Sequence, residues 1–268
     1  MASRKEQKEA ARERRLAEER ARQQRAARAR RMQMLGGVLV GAVVVIVALI
    51  AISSGGGGGG TTTVPKPNSP QARQAVATVD KLLAGIPQQG NTLGSPSAKV
   101  TVTEFGDLVC PICRDFALGA ENQLIANDVR AGRVKLVYRG LETASATANN
   151  SMFVPGQVAA RAAGEQNRAW YYIELFYHEQ GDELQSYVTP AYLDGLAEQV
   201  PGLDYAKWTA DRQSSALTAQ VRADGAAAAS AGYNSTPTIV VSGPKAQAPA
   251  IVGATSYASL ESAIKSVS

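Results

Sequence analysis

The sequence is short of cysteine and histidine, and outside one segment it has no excess of positive charge. Among its 268 residues there are two cysteines and one histidine. A small domain stapled by disulfides needs several pairs that close long loops. This chain has one pair, Cys110 and Cys113, whose loop is too short to stabilise much, so the pair is read as reactive rather than structural. Zinc takes four ligands, or three and a water. With no third cysteine and His178 far downstream, neither a metal site nor a cofactor other than the Cys110–Cys113 couple is expected. His178 itself lies among Trp170, Tyr171, Tyr172, Phe176 and Tyr177 and is read as packing there. Residues 1–31 carry 12 Lys/Arg against 5 Asp/Glu, while the other 237 residues carry 16 against 18. The net charge of +5 therefore belongs to a tail, and the body offers no basic face for nucleic acid.

The tail, residues 1–31, is Ala-rich and helix-forming without an apolar stripe, which suits a solvated basic cytoplasmic segment beside a membrane. Leu35 to Ile52 is an uncharged apolar run. Counted from Met32 it would extend about 31 Å as a helix, which matches the hydrocarbon core, so 32–52 is predicted to be a single transmembrane helix. The positive charge ahead of it predicts a cytoplasmic N-terminus and an extracytoplasmic remainder, a single-pass protein of the cell membrane. A cleaved signal peptide is the competing reading, with Ala51-Ile52-Ser53 as the small-residue site. Residues 53–74, rich in Gly, Thr and Pro, read as a linker, and 75–268 as the catalytic domain.

Within that domain Val76, Val79, Leu82, Leu83 and Ile86 recur at helical spacing, and Val100 to Phe105 alternates as a strand. Residues 111–130 form the next expected helix, with Ile112, Phe116, Leu124, Ile125 and Val129 on or near one face and Gly132 as its stop. Val134 to Tyr138 is a second strand, 141–156 reads as irregular, and 157–233 as a broken helical stretch. Strands at Thr238–Val241 and Ile251–Val252 and an amphipathic helix from Ser256 to Val267 complete the chain. Setting aside a helical insertion at about 141–233 leaves β-α-β…β-β-α, an α/β thioredoxin-type core.

Cys110-Pro111-Ile112-Cys113 falls where strand gives way to helix. Unpaired amides at a helix start favour a thiolate there, and Pro111 suits the first helical position. Cys110 is then the exposed nucleophile, and Cys113, one turn on, resolves the mixed disulfide. Arg114 adds a cation nearby. Glu104 reads as a surface carboxylate at a strand end or, by its resemblance to the buried acid of thioredoxin-fold enzymes, as a carboxyl that relays a proton to or from Cys113; Asp107 reads as sitting in the loop and solvating it.

The stretch from Leu93 to Cys113, the segment Ala226 to Val241 with Gly232-Tyr233-Asn234-Ser235-Thr236-Pro237-Thr238, and Trp170-Tyr171-Tyr172-Ile173-Glu174-Leu175-Phe176 together resemble the DsbA-like thioredoxin-fold family. The resemblance implies a thioredoxin-like fold with an inserted helical domain over roughly 76–266. It implies a cis peptide before Pro237, where sequence alone favours an ordinary trans proline opening a strand. Thr236 would then lie beside Cys110 and offer its backbone to an extended substrate, with Pro237, Pro111 and Ile112 in the same binding surface. It further implies an oxidase that introduces disulfides into reduced or unfolded secreted proteins and is reoxidised by a membrane partner of the DsbB or VKOR type. Strongly oxidising members often carry histidine where this chain has Ile112, and threonine before the proline also occurs in reductases and isomerases. A disulfide reductase or isomerase of the same fold therefore stays open, as does a non-redox peptide-binding chaperone module.

Overall fold

The computed structural model describes residue 64, residues 66–147 and residues 152–268. The expected basic tail and the transmembrane run at 32–52 lie outside them, and no helix among the described residues is long and apolar enough to cross a membrane.

Helix α1 (Pro70–Leu83) starts earlier than the boundary at 75, inside the expected linker, because Ser69 caps it by accepting from Ala72 N at 3.2 Å and Pro70 sits in its first turn. Two short strands follow, β1 (Gln88–Gln89) and β2 (Thr92–Leu93), each too brief for alternation to reveal. Strand β3 (Val100–Gly106) leads to the cysteine motif. The helical run after it is composite: α2 (Pro111–Phe116), a π-helical turn (Ala117–Glu121), α3 (Asn122–Leu124) and a second π-helical turn (Ile125–Val129). Next comes β4 (Val134–Gly140). The stretch read as irregular holds α4 (Ala144–Thr147) and the start of α5 (Phe153–Gly164). Helices α6 (Ala169–His178), α7 (Pro190–Ala197), α8 (Tyr205–Asp211) and α9 (Ser215–Ser230) follow, then β5 (Thr238–Ser242), β6 (Ile251–Val252) and α10 (Tyr257–Val267).

The strands form one mixed sheet in the order β1-β2-β4-β3-β5-β6. β3 and β4 are parallel, joined by the helical run, while β5 lies antiparallel on the other side of β3. Alternation on β3 turns Val100, Val102 and Glu104 to one face. Their register partners there are Val134, Leu136 and Tyr138 on β4 and Val241 and Ile239 on β5, all buried. Glu104 thus occupies a core position under the cysteine motif.

The inserted helices pack through large aromatic side chains, several of whose polar ends find backbone partners. Trp208 Nε1 donates to Ala159 O at 2.9 Å, Trp170 Nε1 to Asn91 O at 3.1 Å, and the Tyr172 hydroxyl to Leu193 O at 3.1 Å. One buried carboxylate, Asp224 on α9, ties the insertion to the sheet. It accepts from Arg139 Nε at 2.8 Å, from Gly140 N at 3.2 Å and from Arg161.

Gly94 joins β2 to β3 with φ of +111°, and a Cβ there would lie 2.9 Å from both Val129 Cγ1 and Val134 O. Gly94→Ala is expected to cost about 2 kcal/mol or more, through backbone strain and overlap combined. Gly85→Ala, also at positive φ but with nothing within 4 Å, is expected to cost less. Urea unfolding of both variants checks this; equal midpoints would mean that the close approach at Gly94 relaxes freely.

Candidate active site

Cys110 caps α2 with extended backbone angles (φ −71°, ψ 121°), Pro111 takes the first helical position, and Arg114 N closes the first turn onto Cys110 O at 3.1 Å. This geometry leaves the amides of Ile112 and Cys113 free to point at the Cys110 sulfur. Both cysteines are unbridged, and Cys110, expected to be exposed, is itself buried, only 6% exposed, because the cis-proline segment lies over its sulfur. The thiol of Cys113 donates to Cys110, and this is the largest influence holding Cys110 down to a pKa of about 6. Burial opposes it, while the Thr236 side chain and the two amides assist. Cys113 behaves in the opposite sense. Burial pushes its pKa well up, and so do its donation to Cys110 and the charges of Glu104 and Cys110. One turn of helix therefore carries a ready thiolate and a thiol that keeps its proton.

The Thr236–Pro237 peptide is cis, and Thr236 O lies 3.8 Å from Cys110 Sγ. Pro111 and Ile112 are both exposed, Ile112 by 44%, although Ile112 was expected with the apolar face of its helix. Glu104 is 1% exposed, which decides for the buried carboxyl over the surface one. Gly106, two residues along the same face, makes room for it: a Cβ there would fall 2.8 Å from Glu104 Oε1 and 3.1 Å from the Tyr138 hydroxyl oxygen. The structure thus brings together Cys110, Cys113, Glu104, Thr236, Pro237, Pro111 and Ile112.

The structure gives the setting of two neighbouring residues. Arg114, whose direction the sequence left open, turns to the inserted helices, its Nε donating to Tyr177 O at 3.0 Å. Asp107 sits in the loop and solvates its amides, as expected, and is fully buried in doing so. Its carboxyl accepts from Val109 N at 3.1 Å, Thr143 N at 3.0 Å, Ser145 N at 2.9 Å and Ser145 Oγ at 2.6 Å. The reason is the four donors that converge on it from the loop ahead of Cys110 and from the start of α4. His178 lies against α1 beside Gln71, Gln74 and Thr78, apart from the cysteines.

Sequence reasoning missed several members of the site. Thr143 touches Thr236 through their hydroxyl groups, so the loop held by Asp107 also holds the residue over Cys110. Gln180 Nε2 donates to Leu108 O at 2.7 Å and to Cys110 O at 3.1 Å, a strut from the inserted helices. Beneath the cysteines lie Glu121, Glu174, Tyr138 and Tyr177, all shut off from water. Glu174 had left a signal, as the lone acid in the run Trp170 to Tyr177, whereas nothing in the pattern marked Glu121. Among the described residues no group of His, Cys, Asp and Glu has the geometry to hold a metal ion.

The family described as thioredoxin matches residues 88–266. A probable disulfide bond formation protein D of Bacillus anthracis is 25% identical over 159 residues, covering 57% of this chain and 69% of that protein. Among solved structures, oxidised BdbD of Bacillus subtilis superposes with a TM-score of 0.57 at 22% identity, covering 68% of this chain and 96% of that one. DsbA of Chlamydia trachomatis superposes at 0.55 with 19% identity, covering 66% and 90%. At these identities the two structures bear on the fold alone.

The Cys110 assignment has a pH signature. In the reduced protein the ultraviolet absorbance of the thiolate is expected to titrate with a midpoint of about 6. In Cys113→Ala, which removes the main donor, the midpoint is expected to rise. An unfolded cysteine ionises near 8.5, so a lowered folded value makes the reduced form gain stability as pH rises from about 6 toward that value. The gain is lost as pH falls through 6. The oxidised form has no thiol to titrate, so denaturant midpoints of the two forms are expected to converge toward acid pH. A gap that widens toward acid pH would contradict the assignment.

Proposed function

The chain belongs to the thioredoxin family and is a DsbA-like thiol–disulfide oxidoreductase, and from that premise we propose that it works as a disulfide oxidase on secreted proteins. One contrast carries the reading: Cys110, 6% exposed and beside Thr236 O, is held down toward a thiolate, while the fully enclosed Cys113 is pushed toward the protonated thiol. A low-pKa thiolate is a good leaving group, and a protein that stabilises it stabilises its own reduced form, which makes its disulfide oxidising.

The steps follow from that asymmetry. A substrate thiolate attacks Cys110 Sγ in the Cys110–Cys113 disulfide. The S–S bond breaks, its electron pair goes to Cys113 Sγ, and a mixed disulfide joins Cys110 to the substrate. Cys113 takes a proton, and Glu104 is the proton partner within its pocket. A second substrate thiolate then attacks the substrate sulfur of the mixed disulfide, forms the substrate's disulfide and releases Cys110 as thiolate. Two electrons pass to the Cys110–Cys113 pair, and reoxidation returns them to a membrane partner of the DsbB or VKOR type.

The surroundings of Cys110 suit an extended, partly apolar peptide. Ile112 is 44% exposed and Val252 61%, and Val252 pairs with Thr238 beside the cis-proline. The backbone of Thr236 lies over Cys110, where a substrate strand could pair with it, and Pro111 and Pro237 flank that line. The charge step between residues 1–31 and the apolar run at 32–52 supports a signal-anchor with the domain outside the cytoplasm, where disulfides persist. The relatives named disulfide bond formation protein D agree with the oxidising direction.

A second reading, reductase or isomerase, draws on Ile112 and Thr236, neither of which adds charge to the thiolate. A pKa of about 6 lies between the thioredoxin and DsbA values, near 7 and 3.5, so the potential of the couple is expected between about −270 and −120 mV. A potential at or below that of thioredoxin removes the oxidase reading. Cys113→Ala is also expected to accumulate mixed disulfides with reduced, unfolded proteins through Cys110, and Cys110→Ala none.

A further inference from the structure

The mechanism above uses one carboxyl, yet three share the pocket beneath Cys113. Glu104 on β3, Glu121 in the first π-helical turn and Glu174 on α6 converge there from three separate elements. All are fully enclosed, and none of their six oxygens accepts a hydrogen bond from any described amide, hydroxyl or cation. Among the described groups the hydrogen bond left to them is one between two carboxyls, as Glu104 and Glu121 are placed to make, and it requires a proton on one. The remaining titratable groups around Glu104 are Cys110 and Cys113 on the cysteine segment, Tyr138 on β4 and Tyr177 on α6. From β5 its neighbour is Ile239, which carries no charge.

Such a pocket holds one negative charge at most near neutrality, because a second would face the first in a site with no cation. Geometry decides where the first one goes. Glu104 faces both Glu121 and the Cys110 thiolate, whereas Glu121 is a step further from the cysteines and contacts Glu104. Thiolate charge, on Cys110 in the reduced protein or developing on Cys113 while Cys110 is held in a mixed disulfide, therefore repels Glu104 first and leaves Glu121 the better resting place.

We infer that the buried carboxyls form one proton store in which Glu104 hands the proton over and Glu121 holds it. This rests on the reading of Glu104 as the proton partner of Cys113. When Cys113 must attack, its S–H proton passes to Glu104 as the Glu104 proton passes to the Glu121 carboxylate. The products are the Cys113 thiolate and two neutral carboxyls. When Cys113 is the leaving group, the same two transfers run backwards and leave the charge on Glu121. Glu121 acts through Glu104 and is a positioning residue; Glu174 stays neutral and keeps further charge out. Burial raises both Glu121 and Glu104 far above the usual carboxylate range, so the pair keeps protons near neutrality. A group that ionises near the working pH is the effective one for such a task.

The test follows release of glutathione from Cys110 by attack of Cys113, measured against pH in the full chain and in Glu104→Gln, Glu121→Gln, Glu121→Asp and Glu174→Gln. Wild type is expected to show an acid limb near pH 7. Glu121→Gln is expected to lose that limb and slow the reaction by about tenfold or more at pH 7, with the Cys110 thiolate still titrating near 6. Glu121→Asp is expected to recover part of the rate, and Glu174→Gln, which mimics a neutral acid, to leave the profile in place. A slow Glu104→Gln with a Glu121→Gln profile that superimposes on wild type overturns the proton store alone. A Glu104→Gln profile that superimposes on wild type overturns the Glu104 reading and the store with it. Should Glu121→Gln fail to fold, infrared spectra of wild type decide: a protonated-carboxyl band that fades with a midpoint near 7 supports the store, and a band invariant from pH 6 to 8 overturns it.

Discussion

The hydrogen bond from the Cys113 thiol to Cys110 is the interaction on which the rest of the site depends. It is the largest stabiliser of the Cys110 thiolate, and it exists only while Cys113 keeps its proton. The fold keeps that proton in place by burial. Cys113 is inaccessible, the β3 face beneath it is apolar apart from Glu104, and no cation enters the pocket among the described residues. An Arg or Lys in the pocket would favour charge on Cys113 and remove the donor that Cys110 needs. Arg114, the nearest candidate in sequence, spends its Nε on the Tyr177 carbonyl.

A second set of contacts holds the thiolate's surroundings in register. Asp107, with four donors, joins the loop ahead of Cys110 to the segment at Thr143–Ser145. Thr143 reaches the Thr236 hydroxyl, and Thr236 lies over Cys110. From the opposite side Gln180 ties the carbonyls of Leu108 and Cys110 to the inserted helices. Three segments distant in sequence thereby fix one sulfur. The insertion is therefore not only a wall of aromatic packing, since it supplies a strut to the active-site loop as well as Glu174 and Tyr177 to the pocket below.

Much of this was legible in the residues. The strand–motif–helix order followed from alternation and from Pro111, whereas Glu104 was left open between burial and a surface strand end, and the structure places it inward with Val100 and Val102. The cis peptide came only from family resemblance, because a proline opening a strand has no local mark of its isomer. Other parts left no local trace. Strands of two residues cannot show alternation, so β1 and β2 were lost in a loop. The burial of Asp107 was not legible because its partners Thr143 and Ser145 lie in a segment read as irregular. Glu121 was hidden by helix geometry. Eight residues after Cys113, regular α-helical spacing would turn it about 80° away from that residue. Asn122 N bonds instead to Ala117 O across a π-helical turn, and the extra residue it absorbs brings Glu121 back to within about 20°.

That turn also explains how the chain tolerates three acids in one pocket. A carboxylate buried without a donor is costly, and a pair is worse, so each acid added to the pocket raises the proton affinity of the others. The cost is smallest when the acids remain protonated, and a neutral carboxyl is a polar group of modest burden compared with an ion. With Glu121 in register beside Glu104, the unpartnered oxygens have one another to bond to, provided a proton is present. Exchange at Cys110 and Cys113 moves two electrons and must move protons with them. A pocket that is stable only when it is mostly protonated, and that has a single site ionising near 7, couples those two movements inside the core. The same absence of cations among the described residues that keeps Cys113 a thiol keeps the acids neutral, so one physical condition serves both the Cys110 thiolate and the proton beneath it.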